Sequence, residues 1–322
     1  MKDTPLAFRG GSPGFSIRES TDLDHYLSLQ PGDWDMKITQ LAGGTFSSQL
    51  RIVGFEGLVI YQNLWGKACV VQGQSPKGWM MFGGIVNPHE APVSWCGAPV
   101  GRRHFAATAG GEEVDFWVAD NSSDIVLLIE PSLLRQIFGD TAEYDATRRK
   151  HLDFGNAGSK LIDVVISALK KIESEPELLQ RPAIMAQMRS NLLRVLEDCL
   201  PTFDSHLGAD INCTRVELVH RVVQHVAQAN NRTCALGMAQ AVGVSQKTLE
   251  MAFREVMDTT PGKYLMLTRL NGARHALAHA DKESTTVTDV AMDLGFTHLG
   301  RFSKAYKDLF GELPSDTLAR RA

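Results

Sequence analysis

Two short segments in the last third of the chain line up donors and acceptors on one helical face. In the first, Leu249 and Phe253 lie four apart and share the inward side of a helix, which leaves Gln246, Lys247, Glu250, Met251 and Arg254 pointing outward. In the second, Phe302 and Tyr306 take the inward side, and His298, Leu299, Gly300, Arg301, Ser303, Lys304 and Lys307 remain. The chemistry these rows suit is recognition of nucleic acid. Lysine donates to guanine or phosphate, glutamate accepts from a cytosine amino group, and methionine presses on a thymine methyl. Leu299 and Gly300 bring no hydrogen-bonding side chain, so the second row is expected to position more than it specifies. Arg301 and Lys307 suit phosphate, as do Arg269 and Arg274 unless those two tie neighbouring helices together.

Catalytic or metal chemistry is not expected. A metal site in a β-rich domain needs two histidines and a carboxylate converging, and the candidates there, His89, Glu90 and His104, lack the H-x-H pair. No phosphate-binding G-x-x-x-x-G-K-[ST] loop occurs. Cys69, Cys96, Cys199, Cys213 and Cys234 are odd in number and scattered without a C-x-x-C, so they read as small buried hydrophobes. No cofactor is expected.

Both rows sit in one repeated pattern. In each copy an alanine, Ala239 or Ala291, precedes a glycine by four, Gly243 or Gly295, and a hydroxyl residue, Ser245 or Thr297, follows two later. A short helix must stop abruptly, which a glycine at positive φ permits, and the hydroxyl caps the next helix. The alanine is where two steeply crossing helices approach. Thr286 to Asp289 has the spacing of a capping box with Asp for Glu, a structural role for Asp289. Between the copies, Thr260 and Pro261 open a helix of about 18 residues and roughly 27 Å, comparable to the ~34 Å turn of B-DNA. The copies span about 236–257 and 287–310, and the helix about 261–279.

Residues 214–318 resemble the AraC/XylS family of bacterial transcription regulators. The resemblance is carried by Pro261 with Tyr264, Arg269 with Leu270, Ala273 with Arg274, the step from Val290 and Ala291 to Gly295 and Phe296, Phe302 with Ser303, and the closing Phe310, Gly311, Pro314 and Ser315. It implies two helix-turn-helix units on promoter DNA, with Lys247, Glu250 and Met251 at base-contacting positions of the first and Leu299, Gly300, Ser303 and Lys304 at those of the second. The family often has arginine where Met251 stands. The resemblance also implies a cupin-like amino-terminal β-barrel holding a small effector, helices that join two protomers, and contact with RNA polymerase during activation.

Composition is that of an ordinary globular chain: 322 residues, 43% hydrophobic and 22% charged, room for two domains. Net charge is −4, yet beyond Asn212 there are 14 Lys and Arg against 11 Asp and Glu, so the +3 lies where phosphate contact needs it. No run of 18 apolar residues occurs and the first residues lack an apolar signal, so a cytoplasmic location without membrane contact is expected.

Short apolar runs between turn residues, at about 36–131, predict strands: 58–61, 68–71, 79–82, 114–118 and 125–129. One or two helical turns follow at 131–138. Apolar stripes then mark two helices within 158–203, one through Leu161, Val165, Ala168 and Ile172, the other through Met185, Met188, Leu192, Leu196 and Cys199. The stripes suit either packing on their own domain or a dimer interface. Trp34, Trp65, Trp79, Trp95 and Trp117 all precede residue 118, as core or as pocket lining, and intrinsic fluorescence should report on this domain alone. Arg102 with Arg103, and 148–150, are surface charge or an anion site.

The expected fold is therefore α+β: a β-barrel sensor with a helical pair (1–203), a linker (204–213), and an all-α domain of two helix-turn-helix units joined by a helix (214–318). The expected function is a ligand-responsive, DNA-binding transcription regulator with promoter DNA, a small effector and a second copy as partners. The contrasting reading is a cupin-type metal enzyme or repair protein fused to such a domain.

Overall fold

In the computed structural model, strand β11 (Ser122–Ile129) is buried along its whole length, and its two faces serve two cores. Ile125, Leu127 and Ile129 point one way and Val126 and Leu128 the other. Such a strand reads as an unbroken apolar run because neither face meets water. The described residues are 14–86, 93–95, 97–100, 102–138, 151–199, 211–229, 233–281 and 283–320.

β11 is the centre of a seven-stranded antiparallel sheet. The other members are β1 (Gly14–Ser20), β3 (Ser48–Phe55), β4 (Leu58–Trp65), β6 (Met80–Ile85), β9 (His104–Ala109) and β12 (His151–Asp153), in the order β1-β3-β4-β11-β6-β9-β12. A second antiparallel sheet runs β2-β5-β10-β7-β8, with β2 Asp35–Gln40, β5 Cys69–Gln74, β10 Glu113–Val118, β7 Val93–Trp95 and β8 Ala98–Val100. Between the sheets lie Leu50, Ile52, Tyr61, Trp65, Val71, Met81, Trp95, Phe116 and Val126, joined by Tyr26 from the short helix α1 (Leu23–Ser28). All five predicted strands are present. The sheet region is wider than the 36–131 read from the sequence: β1 and β12 extend it to 14 and 153, because β1 carries a mixed pattern with few consecutive apolar residues.

The outer face of the larger sheet is covered by α2 (Pro131–Phe138), α3 (Gly155–Ser174) and α4 (Pro182–Asp198). Leu161, Val165 and Ile172 of α3 and Met185, Leu192 and Leu196 of α4, with Cys199 just beyond it, are buried in this layer. The stripes that suited a dimer interface are thus consumed within their own domain.

The outer face of the smaller sheet meets the carboxy-terminal helices. Val70 of β5 and Trp117 of β10 join the core formed by α5 (Ile211–Gln228), α6 (Ala235–Ala241) and α7 (Gln246–Met257). A second helical core is built by α8 (Pro261–His279), α9 (Val287–Asp293), α10 (Leu299–Phe310) and α11 (Pro314–Ala319). Burying Val70 and Trp117 here stabilises the docked arrangement by about 1.5–3 kcal/mol per side chain. Fluorescence therefore does not report on the amino-terminal domain alone: Trp117 senses the junction. Most of the expected linker, and residues 89–90, 96 and 148–150, lie outside the described residues. Helix α5 already begins at 211. Among the described residues, no helix is long and apolar enough to cross a membrane.

Candidate nucleic-acid interface

The two repeated segments are each a short helix, a turn and a longer helix. Gly243 (φ 72°) and Gly295 (φ 81°) supply the left-handed residue that ends α6 and α9. A Cβ at Gly243 would meet nothing within 4 Å, and at Gly295 only the Arg269 guanidinium at 3.8 Å. Backbone conformation, not space, makes glycine the fit. Ala239 and Ala291 are buried, as the crossing requires. Ser245 caps α7 by accepting from the Thr248 amide at 3.1 Å. Thr297 does not cap α10: that helix starts one residue later, with His298 at its cap position and no side-chain cap bond. The Thr286 and Asp289 capping box forms on α9, with both reciprocal bonds at 3.1–3.2 Å.

Behind each longer helix the inward residues are packed: Leu249, Phe253, Phe302 and Tyr306 are all within 1% of full burial. Gln246, Lys247, Glu250, Met251 and Arg254 are exposed on α7. Met251 is 49% exposed, which removes a core role for it. On α10 and its approach, His298, Leu299, Gly300, Arg301, Lys304 and Lys307 are exposed and Ser303 is half-buried. The lone acid among these twelve side chains is Glu250.

Helix α8 connects the pairs. Thr260 caps it through the Lys263 amide at 3.2 Å, with Pro261 at its first position. Its 19 residues span roughly 28 Å at 1.5 Å each. It contributes Tyr264 and Leu265 to the first core and Leu267, Leu270, Ala273 and Leu277 to the second. Two of its cations do not face solvent as phosphate ligands would. Arg269 donates to the Thr233 carbonyl oxygen at 3.1 Å, tying α8 to the first pair. Arg274 is 6% exposed, paired with Asp22, near Asp24 and Glu312, and 5.7 Å above the Phe310 ring. Burial works against the charge of Asp22, yet the His25 amide and Arg274 hold its carboxyl below the ordinary range.

The grip of the amino-terminal domain on α8 was not legible in the sequence. Asn271, buried mid-helix, accepts from the Gln40 amide at 2.9 Å and donates to the Gln40 carbonyl oxygen at 3.0 Å. The side chain acts as a short partner for the exposed edge of β2. Gln40 Nε2 donates to the Leu309 carbonyl oxygen at 2.8 Å, and the Gly44 amide donates to the Asp308 carbonyl oxygen at 3.2 Å. Leu41 packs against both helical cores. The single local hint was a polar Asn among the apolar positions of α8.

Cys69 and Cys199 are buried, with burial pushing the Cys199 thiol up to about 12. Cys234, expected as a buried hydrophobe, is instead exposed and caps α6, its Sγ accepting from the Gly237 amide at 3.4 Å. Arg102 is bound to Asp163 and the Val86 carbonyl oxygen rather than left as free surface charge.

The family model described as a helix-turn-helix domain matches residues 238–320. The XylDLEGF operon transcriptional activator 2 of Pseudomonas putida is 38% identical over 100 residues, 31% of this chain and 64% of that protein. The probable thc operon regulatory protein of Rhodococcus erythropolis is 39% identical over 92 residues, 29% of this chain and 28% of that one. A crystal structure of a probable AraC family transcriptional regulator from Rhodopseudomonas palustris is 30% identical, covering 32% of this chain and 95% of that chain, with a TM-score of 0.30. The chain thus spans less than two thirds of these two curated relatives. Residues 238–320 carry a helix-turn-helix domain, and this part of the chain is similar to regulators of the AraC/XylS family.

Proposed function

We propose that this protein is a sequence-specific DNA-binding transcription regulator, without catalytic activity, whose two helix pairs act as helix-turn-helix units on one face of a promoter. The observation that carries the proposal is the pair of exposed polar faces on α7 and α10, each backed by its own core and both fixed to one rod, α8. Lys247, Glu250 and Met251 read bases in the first major groove, with Gln246 and Arg254 beside them. In the second, Ser303 and Lys304 reach base edges, while His298, Leu299 and Gly300 line the groove wall. Arg301 and Lys307 hold phosphate. The relatives' names, an operon transcriptional activator and an operon regulatory protein, support a role in activating transcription.

The two sheets form the cupin-like barrel of the sensor, and its effector, a small polar molecule, binds at the domain junction rather than inside. Between the sheets the free space lined by Tyr26, Trp34, Tyr61, Trp65 and Trp95 is only about 10 Å³. A drug-sized ligand needs roughly 300 Å³ or more. The cleft between β2, β5, β10 and α5 offers about 410 Å³, lined among others by Lys37, Gln72, Asp115, His220 and Gln224. Burial there lowers the pKa of Lys37, so an anionic group on the ligand would offset the cost of its charge.

Binding to promoter fragments across a salt series tests the DNA reading. Specific binding with log K falling as log salt rises is expected, and Lys304→Ala should weaken it. Equal affinity for all sequences at every salt concentration would contradict it. Ala227→Trp, which fills the cleft from its exposed rim, should abolish the response to inducing compounds in a reporter strain while leaving DNA affinity intact.

A further inference from the structure

Helix α8 carries His275 and His279 one turn apart, and Asp24 of α1 comes to them from the other domain. One ligating atom of each lies within 4.8 Å of the other two. The four-residue spacing puts both imidazoles on one helix face. His279 Nδ1 lies 2.8 Å from the His275 carbonyl oxygen, so in the tautomer that donates there Nε2 keeps its lone pair for a ligand. A backbone carbonyl holding the non-ligating nitrogen is the outer support that metal-binding histidines use. The Asp24 carboxylate is divided: Oδ2 is 3.7 Å from Arg274, while Oδ1 is 3.5 Å from His275 Nδ1. Arg274 does not make the surroundings cationic. Asp22, Asp24 and Glu312 stand against Arg274 and Arg320, a net negative balance before the imidazoles are counted.

We infer that Asp24, His275 and His279 form a binding site for a divalent transition-metal ion of the zinc class, and that the bound ion staples the amino-terminal domain to α8. Two nitrogens and one oxygen suit Zn²⁺, Co²⁺ or Ni²⁺ rather than Ca²⁺ or Mg²⁺, which prefer all-oxygen sets. Both histidines are exposed and Asp24 is half-buried, so the ion has an open path and water completes its shell. The site stands independently of the DNA-binding proposal.

The test uses the full-length protein stripped with chelator, titrated with Co²⁺ by visible absorption and then with Zn²⁺ in competition. One equivalent of Co²⁺ is expected to bind and be displaced by Zn²⁺. His279→Ala and Asp24→Asn should each weaken binding by at least about tenfold. A fixed Zn²⁺ concentration should raise the Tm of the wild type more than that of either variant. His279→Ala replaces an exposed helical side chain with the best helix former, so its metal-free Tm should match the wild type. Absence of a one-equivalent Co²⁺ complex, or undiminished binding in His279→Ala, overturns the site. Undiminished binding in Asp24→Asn overturns the bridge between domains.

Discussion

At the scale of single residues, the base-reading role proposed for Met251 gives the sharpest prediction about specificity. Arginine at this exposed position would make a bidentate contact to guanine that methionine does not. Met251→Arg is therefore expected to change the preferred base at one operator position, read by binding to a randomised-site library. An unchanged preference would mean that α7 enters the groove in another orientation. Lys247→Ala should cost about 1–3 kcal/mol if the lysine reads a base, and should flatten the salt dependence by about one unit if it holds phosphate. Buried Asp124 offers a different check. Burial pushes its carboxyl up to about 6, although Asn63 and the Trp65 indole N–H both donate to it. Its folded pKa is above the unfolded value near 3.9, so the folded state holds an extra proton between these values. Its contribution to stability is thus greatest below about pH 4 and declines as pH rises through 6. Asp124→Asn should remove that decline from a Tm series between pH 4 and 7. A wild-type slope retained in the variant would contradict the assignment.

At the scale of elements, the helix pairs were legible because their determinants are local. Glycine at the turn, serine after it and an inward pair four apart are read directly, and Gly243, Ser245, Leu249 and Phe253 sit as those rules require. Thr297 fails the same rule because α10 begins at Leu299, one residue beyond the matching start of α7. Gly295→Val should cost about 1–3 kcal/mol, since a β-branched residue resists φ 81°. Denaturant unfolding measures it, and an unaltered midpoint would show that this turn tolerates another conformation. The strands were legible as apolar runs, but their order was not. Pairing β11 with β4 and β6 joins residues some sixty and forty positions apart, and nothing in a local pattern encodes that choice. The stripes on α3 and α4 were visible too, yet periodicity says only that a face is buried, not whether its cover is the same chain.

At the scale of the whole molecule, the amino-terminal domain holds α8 and the end of α10 together, with Leu41 touching both helical cores. Whatever loosens this junction would free the two recognition faces to reorient, a direct route from the cleft beside His220 to DNA affinity. Asn271→Ala tests the junction. The Gln40 amide, which donates to Asn271, should lose hydrogen-exchange protection, while the Leu41 amide, held by the Ala68 carbonyl oxygen, should keep it. Trp117 emission should shift toward that of a solvated indole in the same variant. Equal exchange at Gln40 in both proteins would show that the junction does not depend on this side chain. These contacts were invisible in the sequence because they join residues 231 and 269 positions apart through polar groups with no pattern of their own.

The central claim is that α8 spaces two recognition helices to enter one face of a duplex together, and hydroxyl-radical footprinting on a cognate promoter tests it most directly. The account predicts two protected segments about one helical turn apart for each bound chain, with Lys304→Ala weakening the one nearer α10. Protection confined to one segment per chain, or protection without sequence preference, would contradict it.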